Sequence, residues 1–335
     1  MPTPEISRQL DQRLRTLRER HQPAEKGSVA QYYESGRGYY GPDVAGAECD
    51  QFGISFVAIG DERHHAGDHD RPFALQSISK VLVYGLALQD HGRAAVLERV
   101  GVEPSGEAFN SIDFDERNHR PHNPMVNAGA LATTDLIRGR DSEEKLERIL
   151  AMIRRCAANP DLEVDWDTFE RERRGADRNR AIAYLMRSQE MIAGDVEATL
   201  ALYLQQCSVR VTCDDLAVIA ATLANGGVNP LTGECALQRD FARDVLSVMY
   251  TCGMYDFAGQ WAHEVGVPAK SGVSGGLLAV IPGKLGIGIF SPGLDEFGSS
   301  VRGVQVCKEL SDRYGLHIFA TEDEDALLGA RALDD

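Results

Sequence analysis

A serine hydroxyl and a lysine amine three residues apart on one helical turn share a face, which sets a nucleophile beside a base. Ser77-Ile78-Ser79-Lys80 has this spacing. Ser142-Glu143-Glu144-Lys145 has it too, so the surroundings must separate the two. Ser77 follows the strand-like run FALQ and opens an apolar helix, KVLVYGLAL. Its hydroxyl would therefore stand at a helix N-terminus whose N–H groups face a cleft. Ser142 opens a charged, solvent-facing helix, and its neighbours Asp141 and Glu144 suit a capping box instead.

A second motif supplies what a Ser-Lys pair needs opposite it. Lys270-Ser271-Gly272 stands just before Val273 and the apolar run LLAVI. A Lys-Ser/Thr-Gly strand beside a Ser-x-x-Lys helix is the arrangement of penicillin-recognising enzymes. Gly272 would let backbone approach a ligand closely, so that the N–H groups of Val273 and Ser77 form an oxyanion hole. Lys80 faces a severe requirement. A free lysine titrates near ~10.4, and lowering it to act as a neutral base at pH 7 costs about 4–5 kcal/mol. Burial and a second cation such as Lys270 both push that way. Tyr255, in CGMYDF, is the candidate proton relay between Ser77, Lys80 and the leaving nitrogen.

The histidines offer other chemistries. His64 and His65 are adjacent, but their expected hairpin loop carries no Asp or Glu at a zinc spacing, and they are read as solvated loop residues. His122, in PHNP, is read as structural.

These residues need elements to hold them. Ile6, Leu10, Leu14 and Leu17 mark an amphipathic N-terminal helix that packs on the body or on a second copy. FGISFVAIG, the turn GDER and the run PFALQ predict two strands joined by a hairpin. From about 79 to 260 the pattern is helical, with KVLVYGLALQDHG, DSEEKLERILAMIRRCAAN, VEATLALYLQQCS and CDDLAVIAATLANGG as the clear segments. LLAVIPG and KLGIGIFSPG then predict a β-hairpin, and SSVRGVQVCKELSDRYG a last helix. Strands at both ends with helices between predict an α+β fold: an antiparallel sheet from N- and C-terminal segments, flanked by helices, with an inserted helical lobe. The expected division is an N-terminal helical extension (1–26), one catalytic domain (27–320) and an acidic tail (321–335). Within the domain, 27–78 and 261–320 would build the sheet lobe and 79–260 the helical lobe.

A formal charge of -16 on 335 residues argues against nucleic acid or an anionic membrane as partner. No apolar run is long enough to span a bilayer, and the charged N-terminus has no signal-peptide core. Seven cysteines without a Cys-x-x-Cys pair predict free, buried thiols in a reducing cytoplasm.

At five segments the chain resembles a known family. LQSISK (75–80), PHNPMVNAGA (121–130), ADRN (176–179), CGMYDFAGQ (252–260) and KSGVSGG (270–276) are similar to the glutaminases of the β-lactamase-like superfamily. The wider similarity spans 29–310, and three of these segments are far more specific than Ser-x-x-Lys. The resemblance implies a β-lactamase/transpeptidase-like fold and hydrolysis of L-glutamine to L-glutamate and ammonia, without metal or organic cofactor, in a homo-oligomer (dimer or tetramer). It implies Ser77 as nucleophile, Lys80 as base and Tyr255 as their partner. Substrate contacts would fall on Tyr32, Gln76, Ser77, Asn127, Glu172, Asn179, Tyr203, Tyr255 and Val273. A carboxylate such as Glu172 could pair the substrate ammonium, while Asn and Tyr groups bind its carboxylate and amide. The Ser-Asp-Asn of many β-lactamases is absent; Asn127 would take its place. The competing readings are a β-lactamase or peptidase of the same fold, which a β-lactam assay would separate, and a non-catalytic amino-acid sensor, which ammonia release would exclude.

Overall fold

A computed structural model describes residues 4–24, 50–60, 62–108, 110–115 and 117–320. Helix α1 (Pro4–His21) precedes strands β1 (Gly53–Ala58), β2 (Arg63–Gly67) and β3 (Phe73–Ala74). A 3-10 turn (Gln76–Ile78) leads into α2 (Ser79–Arg99), followed by α3 (Asn127–Asp135), α4 (Ser142–Ala157), α5 (Trp166–Arg174), α6 (Asp177–Ser188) and α7 (Val196–Cys207). Then come β4 (Arg210–Val211), α8 (Cys213–Ala224), α9 (Arg239–Cys252), a second 3-10 turn (Tyr255–Phe257), α10 (Ala258–Glu264), the strands β5 (Ala269–Ser271), β6 (Gly276–Ile281) and β7 (Leu285–Phe290), and α11 (Val301–Tyr314).

Five strands form one sheet in the order β2-β1-β7-β6-β5, every neighbour antiparallel. The α+β architecture read from the strand and helix order is therefore present: first and last segments of the chain meet where β1 pairs β7. Strand alternation divides the core. Ile54, Leu277, Ala279, Ile287 and Ile289 point to one face, where they pack with Leu14 and Leu17 of α1, Trp261 of α10 and Val306 of α11. Leu278, Val280 and Phe290 point to the other, into the core of the helical lobe. On that second face β7 presents Gly286 and Gly288. A Cβ at Gly286 would lie 2.1 Å from the Ala221 nitrogen, and one at Gly288 2.2 Å from the Cys213 carbonyl oxygen. The missing side chains let α8 lie directly on the central strand.

The order of strands near the N-terminus differs from the sequence reading. β1 turns back into Arg63–Gly67, not into PFALQ. The segment RHHAG hides its strand because only His64 and Ala66 are buried while alternate residues face solvent. His64 and His65 thus occupy a strand, not a loop. Phe73–Ala74 instead pairs Arg210–Val211 in a separate two-stranded ladder, reinforced by the Leu75 N–H donating to the Val209 carbonyl at 2.8 Å. The helix expected to stop at Gly92 bends there (φ 77) and continues to Arg99. Ser142 opens a helix capped by Asp141, whose carboxylate accepts from the Glu144 N–H, as the decoy reading requires; the Glu144 side chain bonds Arg140 and not the cap residue.

Candidate active site

The polar groups singled out above converge where the edge strand β5 meets the helical lobe. Leu75 enters a tight turn in which Gln76 takes a left-handed backbone (φ 51), and Ser77 follows within the 3-10 segment. Tyr255 opens its own 3-10 turn with φ 56. Non-glycine residues seldom adopt this conformation, and such strain persists only where surrounding packing fixes it. β5 closes the site: a Cβ at Gly272 would sit 3.2 Å from the Leu75 carbonyl oxygen and 3.4 Å from Ile78. Val273 lies in the turn between β5 and β6, not in a strand, where the Gly272 N–H donates to the Gly276 carbonyl at 2.8 Å.

Lys80, on the first turn of α2, has no exposed surface. Its Nζ donates to Asn127 Oδ1 at 2.7 Å and to the Met125 carbonyl at 3.2 Å. Burial lowers its pKa to about 7, against a smaller opposing pull from Cys207. Lys270 is also fully buried, donates to the Ser271 carbonyl at 2.8 Å and lies 3.7 Å from the centre of the Tyr255 ring. Its pKa falls well below the usual lysine range, first through burial and then through repulsion from Lys80. Desolvation, more than a neighbouring cation, thus lowers Lys80; the repulsion between the amines bears chiefly on Lys270. The Tyr255 hydroxyl hydrogen-bonds the Ser77 side chain and donates to the Ser271 carbonyl at 3.4 Å, while burial raises its pKa.

The helical lobe contributes a connected set. Asn127 Oδ1 accepts from Lys80 and from the Tyr203 hydroxyl at 3.2 Å, and its Nδ2 donates to Asn179 Oδ1 at 2.8 Å. Gln76 Nε2 donates to Glu172 Oε1 at 3.0 Å. Glu172 is 6% exposed in spite of the charged sequence ERERR around it. Burial raises its carboxyl to about 8, opposed by the Gln76 hydrogen bond. Tyr203 is raised well above the usual phenol range, chiefly by burial. The structure therefore brings together Gln76, Ser77, Lys80, Asn127, Glu172, Asn179, Tyr203 and Tyr255, with Val273 in the turn that follows β5. Tyr32 lies outside the described residues. His122 bonds Asp113 at 3.1 Å.

Sequence reasoning did not single out several groups that border the site. Cys207 is buried, its thiol held protonated (pKa about 11) chiefly by burial, and its sulfur lies 3.8 Å from Ser79 Oγ. The carbonyls of Met125 and Ser271 have no side-chain signature to find. Ser274 brings a buried hydroxyl without a hydrogen-bond partner among the described residues.

An antiparallel sheet against a helical lobe, with a buried serine and lysine at their junction, defines the β-lactamase-like class of fold. Within it the chain belongs to the glutaminase family, whose model matches residues 37–319. It is 54% identical over 306 residues to a glutaminase of Trichormus variabilis, covering 91% of this chain and 89% of the relative. It is 46% identical over 292 residues to glutaminase 2 of Clostridium perfringens, covering 86% and 96%. The crystal structure of Mglu in its glutamate form superposes with a TM-score of 0.87 at 43% identity, covering 96% of this chain and 71% of that one. A Bacillus glutaminase solved in 4.3M NaCl gives 0.82 at 36%, covering 92% and 99%.

Proposed function

We propose that this chain hydrolyses L-glutamine to L-glutamate and ammonia through a γ-glutamyl ester on Ser77, with Lys80 as the base. The observation that carries the proposal is the state of Lys80: a wholly buried amine with a pKa of about 7 and acceptors at 2.7 and 3.2 Å. A neutral amine has two N–H bonds. Spending both on Asn127 and Met125 turns the nitrogen's lone pair to a different direction, where it can take a proton from a residue one turn away.

Lys80 accepts the Ser77 proton as Oγ attacks the side-chain amide carbon. The N–H groups of Ser77 and Val273 hold the resulting oxyanion. The Tyr255 hydroxyl, bonded to Ser77, passes a proton to the nitrogen as the C–N bond breaks and ammonia leaves. Water then attacks the ester, gives its proton back through the same groups and restores Ser77. Glu172 pairs the substrate ammonium; Tyr32, Gln76, Asn127, Asn179 and Tyr203 orient the amino-acid end. The cycle needs no metal or organic cofactor. Residues 27–320 act as one catalytic unit.

A cytoplasmic, homo-oligomeric protein (dimer or tetramer) fits the chain. The cysteines among the described residues are free, no described helix is long and apolar enough to cross a membrane, and Phe319 exposes 74% of its surface beside Ile318.

A glutamate-production assay tests the chemistry. Ser77→Ala and Lys80→Ala should each lose roughly 10⁴–10⁶ in kcat. A reactive glutamine analogue should add its mass to the peptide carrying Ser77. Labelling that survives Ser77→Ala would refute the assignment.

A further inference from the structure

We propose that His65, His69 and Asp214 form a divalent-cation site of the zinc class that clips the strand leading to Ser77 onto α8. The three residues come from two segments far apart in sequence. His65 lies on the edge strand β2, on the face opposite His64, whose Nδ1 bonds Asp11 Oδ1 at 2.8 Å. His69 follows at the turn toward β3. Asp214 stands in the first turn of α8, beside the Thr212 capping box and next to Cys213, whose N–H donates to the His69 carbonyl at 3.0 Å.

One ligand atom from each lies within 4.8 Å of the others. His69 Nδ1 meets Asp214 Oδ2 at 2.8 Å. The second carboxylate oxygen, Oδ1, is buried without a hydrogen-bond partner among the described residues, and His65 Nδ1 faces it at 3.9 Å. That distance is too long for a hydrogen bond. Ligands about 2.0–2.2 Å from a tetrahedral ion are separated by about 3.3–3.6 Å, so a shift of a few tenths of an ångström by the His65 ring brings the pair onto one coordination sphere. The imidazoles stack with centres 3.6 Å apart and planes 9° from parallel. Parallel rings aim their lone pairs along parallel lines, so coordination requires one to turn. His65, with half its side chain exposed against about a fifth for His69, is free to do so.

Two imidazoles and one carboxylate suit Zn²⁺, Co²⁺ or Ni²⁺ and disfavour Mg²⁺ and Ca²⁺, which prefer all-oxygen sites. The remaining position falls to water, reachable because Asp214 is partly exposed. An ion held here would reinforce the ties already present between the segment running into Ser77 and the segment around Cys213: the His69–Asp214 and Cys213–His69 hydrogen bonds, the β3-β4 ladder and the Leu75–Val209 hydrogen bond.

The full-length protein, stripped with a chelator and titrated with Zn²⁺ near pH 7.5, tests this. One ion should bind per chain, and Tm should rise by about 3–5 °C at a hundredfold excess over Kd. Co²⁺ should give visible absorption bands of a nitrogen- and oxygen-ligated ion. His65→Ala and Asp214→Asn should lose both responses while hydrolysing glutamine, without metal, as the parent does. Ser77→Ala should keep them. Absence of saturable binding, or a thermal shift unchanged in His65→Ala and Asp214→Asn, would overturn the proposal.

Discussion

In the proposed cycle Glu172 and Lys80, both buried, are each needed in the deprotonated form. Lys80 must be neutral to take a proton, and with a pKa of about 7 its neutral fraction grows as pH rises through that value. Glu172 must be a carboxylate to pair an ammonium; burial holds it protonated below about 8, so its useful form also grows with pH. Both signs agree. kcat/KM should climb between about pH 6 and 8.5 with two protons lost, whereas kcat, measured with substrate bound, should lose its dependence on Glu172. Glutamine binding to the inactive Ser77→Ala variant at pH 7 should release protons, seen as a buffer-dependent heat in calorimetry. Glu172→Gln keeps the hydrogen-bonding shape but not the charge; it should raise KM by at least about 100-fold, with a smaller change in kcat, and remove the proton release. An unchanged KM would separate Glu172 from substrate. At this scale the sequence was legible for Ser77 and Lys80, because their spacing, helix start and partner motif agree. Glu172 and Tyr203 were visible only through resemblance. ERERR reads as a solvated helix, and only the packing of α5 on the lobe buries one of its charges.

At the scale of elements, α8 lies directly on β7 where Gly286 and Gly288 carry no side chain. Adding a methyl group at Gly286 would force backbone atoms apart from 2.1 Å, and no side-chain rotation relieves such a clash. Gly286→Ala should destabilise by about 3 kcal/mol or more, read as a lower denaturation midpoint at constant m-value. Gly283→Ala, with open space around it but a left-handed backbone (φ 72), should cost only about 1 kcal/mol. Strong apolar periodicity made α4, α8 and the β6-β7 hairpin readable. The strands β2 and β4 were not, because one is an edge rich in histidine and the other is two residues long; β3 was read as a strand within PFALQ, and only its partner differed. Their pairing partners are set by tertiary contacts, which local patterns do not contain.

For the whole molecule, α1 is the part whose role the sequence left open between the body and a second copy. It lies on the body: Leu14 and Leu17 are buried against the sheet, Asp11 bonds His64, and Arg20 and His21 pair Glu309 of α11. Leu14→Ala should cost about 2–4 kcal/mol, measured by chemical denaturation, with kcat unchanged in the fraction that stays folded. A second copy would find its apolar contact elsewhere, at Ile318 and Phe319. Phe319→Asp should lower the mass measured by light scattering if that patch joins subunits; an unaltered mass would move the interface to another face.

The pairing of β1 with β7 also bears on synthesis. Ser77 and Lys80 emerge from the ribosome early, but the strand that closes over them and the tyrosine bonded to the serine hydroxyl are made in the last quarter of the chain. A nascent or truncated polypeptide would carry the proposed nucleophile beside an open, hydrated lysine that stays charged. Catalytic power should therefore appear abruptly, when β7 docks, and fragments ending before it should leave glutamine untouched.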